Sequence, residues 1–409
     1  MRVEPIQTGA ELDGLAPDWE AVWRRDPGAD IFSSPEVYTS WIRWFACDPA
    51  RPPGILHDRM WVKPAPGRHL EAHVLVAREG DEIAGIAPLV AYRGSWAGLQ
   101  VRVLSFAVNA HQPRARLVCR DSSPAVRGAL LRQLADTPGW DVLLLEGVPP
   151  ERRGGDGLRA RIESLGLAVV EEELRPNTFL APRGSWSAYL AGKSGNFRRS
   201  LARSRRDLER AGGVTFEHGA TPEEVEAGME AFLEVDRESW KAREGESIAL
   251  DPSLGGYYRD LASRCALRGR AEVWVLRVGG EAVAATLCLR DSRNLYLLKQ
   301  SCKERFSRAG LSPSFVLTGR IVEDAWDRGL EGIDFLTRTP YTERWARAQR
   351  EYRRLAVFRS HTYAASLQFV DWLSGRAAAA RRALAARLKR GRPASAPVPT
   401  PAAAGAAAH

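Results

Sequence analysis

The chain has 409 residues, 44% of them hydrophobic, enough apolar material for two cores of ordinary domain size. Its net charge of +9 is unevenly placed: residues 361–409 hold seven arginines and lysines against Asp371 alone, leaving only +3 for residues 1–360. That nearly balanced body does not resemble a dedicated nucleic-acid binder, and no apolar run approaches the roughly 20 residues of a spanning helix. The opening residues, Met1 to Gln7, lack the apolar stretch of a secretory signal. Five scattered cysteines without a Cys-x-x-Cys pair predict reduced, buried thiols in a cytoplasmic setting, and seven histidines without ligand spacing predict no metal site.

Alternating helical and strand patterns imply an α/β or α+β class. In chain order, Ala72–Glu82 reads as a strand, a Gly80-Asp81 turn and a second strand. Ser123-Pro124 then marks a helix start, because serine caps free N–H groups and proline tolerates the first turn. The helix leads to the buried-looking strand Trp140–Leu145. A basic helix spans about Lys193 to Arg210, with seven basic residues against Asp207 and Glu209. It offers either a solvated face or a groove for anions.

The plan then repeats. Ala271–Glu281 aligns without gaps to Ala72–Glu82 and carries a Gly279-Gly280 turn. A strand over Leu295–Ser301 enters a loop containing Arg305, Arg308 and Gly310. Ser312-Pro313 opens the next helix, and Gly332–Leu336 forms the strand after it. Two copies of one helices–hairpin–helix–strand plan are therefore expected. A helix over residues 363–390 and a Pro/Ala-rich, disordered tail close the chain.

The second copy contains the stretch suited to phosphate. A helix N-terminus presents unpaired N–H groups and the positive end of its dipole. Gly310 permits close backbone approach, and Arg305 and Arg308 add charge. The corresponding segment of the first copy, Ser105–Ser123, has no glycine, so phosphate binding is expected in the second copy.

This strand–loop–helix resembles the acyl-CoA pyrophosphate loop of GNAT acetyltransferases. More broadly, residues 30–360 resemble the CelD/BioF-like acetyltransferase family, tandem-GNAT proteins related in fold to Fem-type aminoacyl transferases. The resemblance rests on the basic helix Asn196–Glu209, on Glu238-Ser239-Trp240 and on the hairpin Gly280–Ala285. It continues through Ser312-Pro313 and Asp334–Trp345, with Phe32–Pro35, Trp41 and Gly85–Leu89 in the first half. The chain departs from the family at Ser314, where a glycine is usual, and at Thr342, where a lysine often follows the tyrosine.

The resemblance implies two tandem GNAT-like mixed sheets flanked by helices. Residues 1–180 would form a degenerate first domain and 181–360 the catalytic one, followed by the basic helix (361–391) and the tail (392–409). It implies acyl transfer from acetyl-CoA or another acyl-CoA to an amine of a sugar or small metabolite. CoA would be held by Arg305, Arg308, Gly310, Leu311, Ser312 and Ser314. Tyr341 would protonate the departing thiolate, Asp334 would orient or deprotonate the amine, and Asp236, one turn before Trp240, would face the same cleft. Trp240 and Lys299 would contact substrate. Each of these residues also has a structural reading: core packing for Trp240 and Tyr341, hydrogen bonding or a solvated face for the carboxylates. Fem-type transfer from charged tRNA and a non-catalytic GNAT-fold binding protein are the alternatives. A solvated C-terminal helix is favoured over one that touches a membrane surface.

Overall fold

The structure, a computed structural model, describes residues 1–6, 9–46, 62–64, 70–96, 98–150, 157–370 and 372. The first half contributes β1 (Arg2–Ile6), β2 (Lys63–Pro64), β3 (Glu71–Glu79), β4 (Glu82–Trp96), β5 (Leu99–Phe106), β6 (Val118–Cys119), β7 (Val142–Val148), β8 (Ala168–Glu173) and β9 (Asn177–Leu180). The second contributes β10 (Val214–Gly219), β11 (Ala271–Val278), β12 (Glu281–Arg290), β13 (Asn294–Cys302), β14 (Gly332–Asp334), β15 (Gln349–Arg350) and β16 (Arg353–Phe358).

These strands build two mixed sheets of one design. The first runs β1-β3-β4-β5-β7-β16-β8, with β2 and β6 also on β4, and the second runs β10-β11-β12-β13-β14-β9-β15. Each has a parallel pair at the same place, β5 with β7 and β13 with β14. The expected repeat extends to a local irregularity. The β3–β4 register slips at Ala77/Arg78 and the β11–β12 register at Leu276/Arg277, equivalent positions in the gapless alignment. A bulge twists and re-aims a strand, so the two sheets share curvature as well as order. Gly80 and Gly279 open the two hairpin turns at φ +63° and +59°, the left-handed region for which glycine carries no Cβ penalty.

Sheet membership crosses the middle of the chain. β9, before residue 181, pairs with β14 in the second sheet. In return β16, near the end of the second half, lies between β7 and β8 in the first. Each sheet is thus completed by a strand from the other half.

The two serine caps differ. Ser123 accepts from the Val126 N–H at 3.4 Å, as expected, and opens the helix Pro124–Asp136. Ser312 precedes the helix Pro313–Asp327 without any side-chain cap bond, at φ −127° and ψ 65°. The basic helix spans Gly195–Gly212, capped by Ser194, and leaves its arginines exposed while burying Phe197 and Leu208. Residues 361–370 are helical. The rest of the C-terminal helix and the tail lie outside the described residues, as does Cys47. Cys119, Cys265 and Cys288 are buried and Cys302 is partly so, none in a disulfide.

One apolar core joins the halves, running from Trp19 and Trp41 through Phe232 and Tyr257 to Leu287. At its edge the helices Pro35–Phe45 and Pro252–Ala266 pack closely enough that a Cβ on Gly256 would overlap the Trp44 ring. Gly256→Leu should therefore destabilise the protein by about 1–3 kcal/mol through overpacking, read as a lower urea midpoint. Gly14→Leu, at an open helical position, is the control.

The second sheet also holds a buried charge. Glu272 accepts from His218 Nε2 at 3.1 Å and Arg328 Nη1 at 2.6 Å. Burial alone would raise its carboxyl, but the His218 and Arg328 contacts outweigh it and pull the group down to about 2 from 4.5. A depressed folded value stabilises above the unfolded one and is lost as pH falls through the folded one. We expect stability on the order of 3 kcal/mol to disappear between about pH 4.5 and 2. Chemical denaturation at several pH values should show a flatter profile across that window for Glu272→Gln, with lower stability near neutrality.

Candidate active site

The site begins where two parallel strands separate. β13 and β14 pair over three residues, Asn294 to Tyr296 against Gly332 to Asp334. Beyond them β13 continues to Cys302 while the chain after Asp334 turns aside, assisted by Leu336 at φ +55°. A register shift at Leu287/Cys288 inserts Leu298 as an extra residue on β13, which bends the strand at this point. The opening between the diverging segments is a cleft of about 410 Å³. Leu297–Gln300 line one wall and Phe335–Thr337, Thr339, Tyr341 and Thr342 the other. Lys241 and the first-half residues Ala110, His111 and Pro113 complete it.

Two of the expected residues meet there. Tyr341 Oη lies 2.8 Å from Thr318 Oγ1 and 3.0 Å from the Ser314 carbonyl. Gln300 Nε2 donates to the same Thr318 oxygen at 2.7 Å. Burial pushes the Tyr341 phenol up to about 12, with Thr318 opposing the rise, so the group is protonated at neutral pH. Lys299 lines the cleft with its ammonium 5.3 Å from the Tyr258 ring centroid.

The two carboxylates do not join them. Asp334 is 0% exposed. Its Oδ2 pairs with Arg114 Nη2 at 3.2 Å, and its Oδ1 accepts from the Leu336 N–H at 2.8 Å. It secures the turn that opens the cleft rather than facing an amine. Asp236, 1% exposed, accepts from Ser301 Oγ at 2.6 Å, Ser247 Oγ at 2.7 Å and the Ala249 N–H at 3.2 Å. It ties the end of its helix to β13, because the helical turn before Trp240 points inward. Trp240 begins a separate short helix, is 41% exposed and is not among the residues lining the cleft.

Where a phosphate loop was expected, part of the segment is helical and its two arginines are turned to glutamate partners. A short helix, Glu304–Arg308, leads to Gly310 at φ +75° and then to the helix Pro313–Asp327. Arg305 pairs with Glu281 and Arg308 with Glu304 at 3.0 Å, both side chains being more than half exposed. The N–H groups of Gly310 and Leu311 return to Ser307 and Phe306, and those of Phe315 and Val316 to the Ser312 carbonyl. Among the described hydrogen bonds none uses the N–H of Ser312 or Ser314, and Pro313 has none to offer. This helix start keeps the open donors that a capping side chain would have occupied.

Several participants lacked any sequence signal. Lys241 donates to the Gln300 carbonyl, and burial lowers its ammonium below the ordinary value, with Asp236 opposing. His111 Nδ1 lies 2.7 Å from Tyr258 Oη. Arg114 and His111 arrive from the other half of the chain, so no spacing rule within residues 181–360 could have found them. Among the described residues no helix is long and apolar enough to cross a membrane, and no cluster of potential metal ligands occurs.

Comparison with known proteins agrees with this geometry. Residues 195–354 match the family model described as an acetyltransferase (GNAT) domain. Among solved structures the chain is similar to FemX, with 11% identity, 86% of this chain and 96% of that chain covered, and a TM-score of 0.56. It also matches the C-terminal domain of a putative lysylphosphatidylglycerol synthetase from Agrobacterium fabrum at 13% identity, covering 90% and 96%, with a TM-score of 0.48. A tandem GNAT protein from the clavulanic acid biosynthesis pathway matches at 12% identity, covering 87% and 98%, with a TM-score of 0.42. Of these three, FemX carries the comparison, and it is a comparison of fold. No curated protein matches the chain at a significant level. The family match identifies residues 195–354 as a GNAT domain, and this span holds the strands that separate and the uncapped helix beside them.

Proposed function

We propose that the protein transfers an acyl group from acyl-CoA to the amine of a sugar or small metabolite. The observation that carries this reading is the separation of β13 from β14 directly beside a helix start whose Ser312 and Ser314 N–H groups take part in none of the described hydrogen bonds. In this reading the CoA diphosphate accepts from those amides with Gly310 beneath it, and the acyl-bearing arm lies between β13 and residues 335–342. Arg305 and Arg308 contribute charge at the rim after exchanging their glutamate partners. Trp240, exposed near Lys241, would meet substrate outside the cleft.

Direct attack by a neutral amine needs no covalent enzyme intermediate. Two lysines line the cleft and no carboxylate does, an environment that disfavours a further ammonium and so favours the neutral amine. Tyr341 holds its proton at neutral pH and would deliver it to the departing thiolate, while its contacts with Thr318 and Ser314 fix the ring. A cytoplasmic enzyme acting on small molecules is the setting this implies.

Isothermal titration with acetyl-CoA and with charged tRNA tests the donor. Gly310→Val should weaken CoA binding by at least about ten-fold, since the branched side chain blocks the approach of phosphate. Gly166→Val carries the same positive-φ strain in the first half and should leave CoA affinity unchanged. Tyr341→Phe should lower kcat by about 10²-fold while KM for the donor stays nearly constant. Binding of charged tRNA without CoA would replace the proposed donor by an aminoacyl one. Binding of neither would identify a binding protein on a GNAT frame.

A further inference from the structure

A second cleft, of about 760 Å³, lies at the other end of β13 and shares no lining residue with the first. Both halves build it. Gly28, Asp30, Arg114–Arg116 and Gly147 meet Phe179, Arg183, Arg293, Asn294, Tyr296 and residues 349–352. Five of the lining residues are arginines, from four separate segments. They face Asp30, Glu331 and Glu351 in the lining and Asp334 behind Arg114, a surplus of one positive charge. Asp30 is already paired with Arg114, and the two glutamates are exposed.

The arginines are held in place while keeping donors to spare. Arg350 stacks on the Phe179 ring at 3.5 Å and donates to Asn294 Oδ1 at 3.4 Å. Arg293 Nη2 donates to the Pro27 carbonyl at 2.9 Å, and Arg116 Nη1 to the Gly28 carbonyl. Arg183 is exposed at the rim. Two buried nitrogens in this wall have no hydrogen-bond partner among the described residues: Nε of Arg116 and Nη1 of Arg114, whose residue is 4% exposed. Leaving a buried charged donor unpaired is costly, so an acceptor that reaches these nitrogens is favoured.

We infer that this cleft is a binding site for a small phosphoryl-bearing molecule, distinct from the acyl-transfer cleft. A lone carboxylate satisfies one guanidinium fork. A phosphoryl group spreads its charge over three oxygens and can engage several forks converging from different sides. The volume suits a molecule of metabolite size and is too small for a macromolecular surface. This inference stands on different residues from the proposed acyl transfer and does not depend on it.

Titration of the full-length protein with inorganic pyrophosphate tests it, with glutarate as the carboxylate comparison. Pyrophosphate should bind more tightly than glutarate, and Arg116→Gln combined with Arg350→Gln should weaken it by at least about ten-fold. Arg183→Glu reverses a charge at an exposed position where folding is not at stake, and should also weaken pyrophosphate binding. Gly310→Val should leave in place the pyrophosphate binding that the Arg116/Arg350 double variant weakens, which separates this site from diphosphate binding at the helix start. Absence of pyrophosphate binding by the wild-type protein, equal affinity in the double variant, or a loss confined to Gly310→Val would overturn the inference.

Discussion

A single guanidinium stands at the junction on which the two halves depend. Arg114 lies between Asp30 and Asp334, with the rings of Phe32, Tyr296 and Tyr352 within 5.5 Å. Gly147, at φ +77°, leaves room for the Arg114 backbone, which a Cβ there would overlap. Removing one partner of such a buried group would strand the others, so the arrangement is an all-or-none constraint. Because Asp334 ends β14, the same charge that joins the halves also fixes where β14 leaves β13. The loop 110–116 carries His111 and Pro113 into one cleft and Arg114 and Arg116 into the other.

The exchanged strands β9 and β16 reinforce that junction. Neither sheet is complete without the opposite half, and the shared core around Trp41 and Tyr257 removes any apolar-free boundary between them. A second buried ion cluster, Arg270 with Glu20 and Glu36 and with its guanidinium 4.2 Å from the Trp23 ring centroid, adds specificity to the docking. Buried pairs of this kind contribute little net stability but penalise misalignment heavily.

Within this frame the two copies have diverged at one place. After β5 the first copy continues into β6, which pairs with β4 at Gly85 and Ile86, and a 3₁₀ turn over Arg120–Ser122 leads to a capped helix. After β13 the second copy makes a short helix and a glycine turn, and leaves the following helix uncapped. A serine side chain thus meets a backbone donor at one helix start, and none does so at the other.

The sequence by itself determined the repeat, the hairpins and the helix starts. Strand alternation, glycine turns and Ser-Pro pairs act within a few residues, and even the shared bulge was implicit in the gapless match of Ala72–Glu82 to Ala271–Glu281. The places of Tyr341, Lys299 and the Gly310 loop followed from the same pattern, since each sits on or just after an element it fixes, while the role expected of Tyr341 came from the resemblance to a family. Only the tertiary structure decided what Asp334 and Asp236 do, because their partners, Arg114 and Ser301, lie 220 and 65 residues away. It alone also decided the exchange of β9 and β16 and the convergence of five arginines at the seam. Charge pairing and strand order across the seam depend on distances between chain segments, and local periodicity carries no information about those distances.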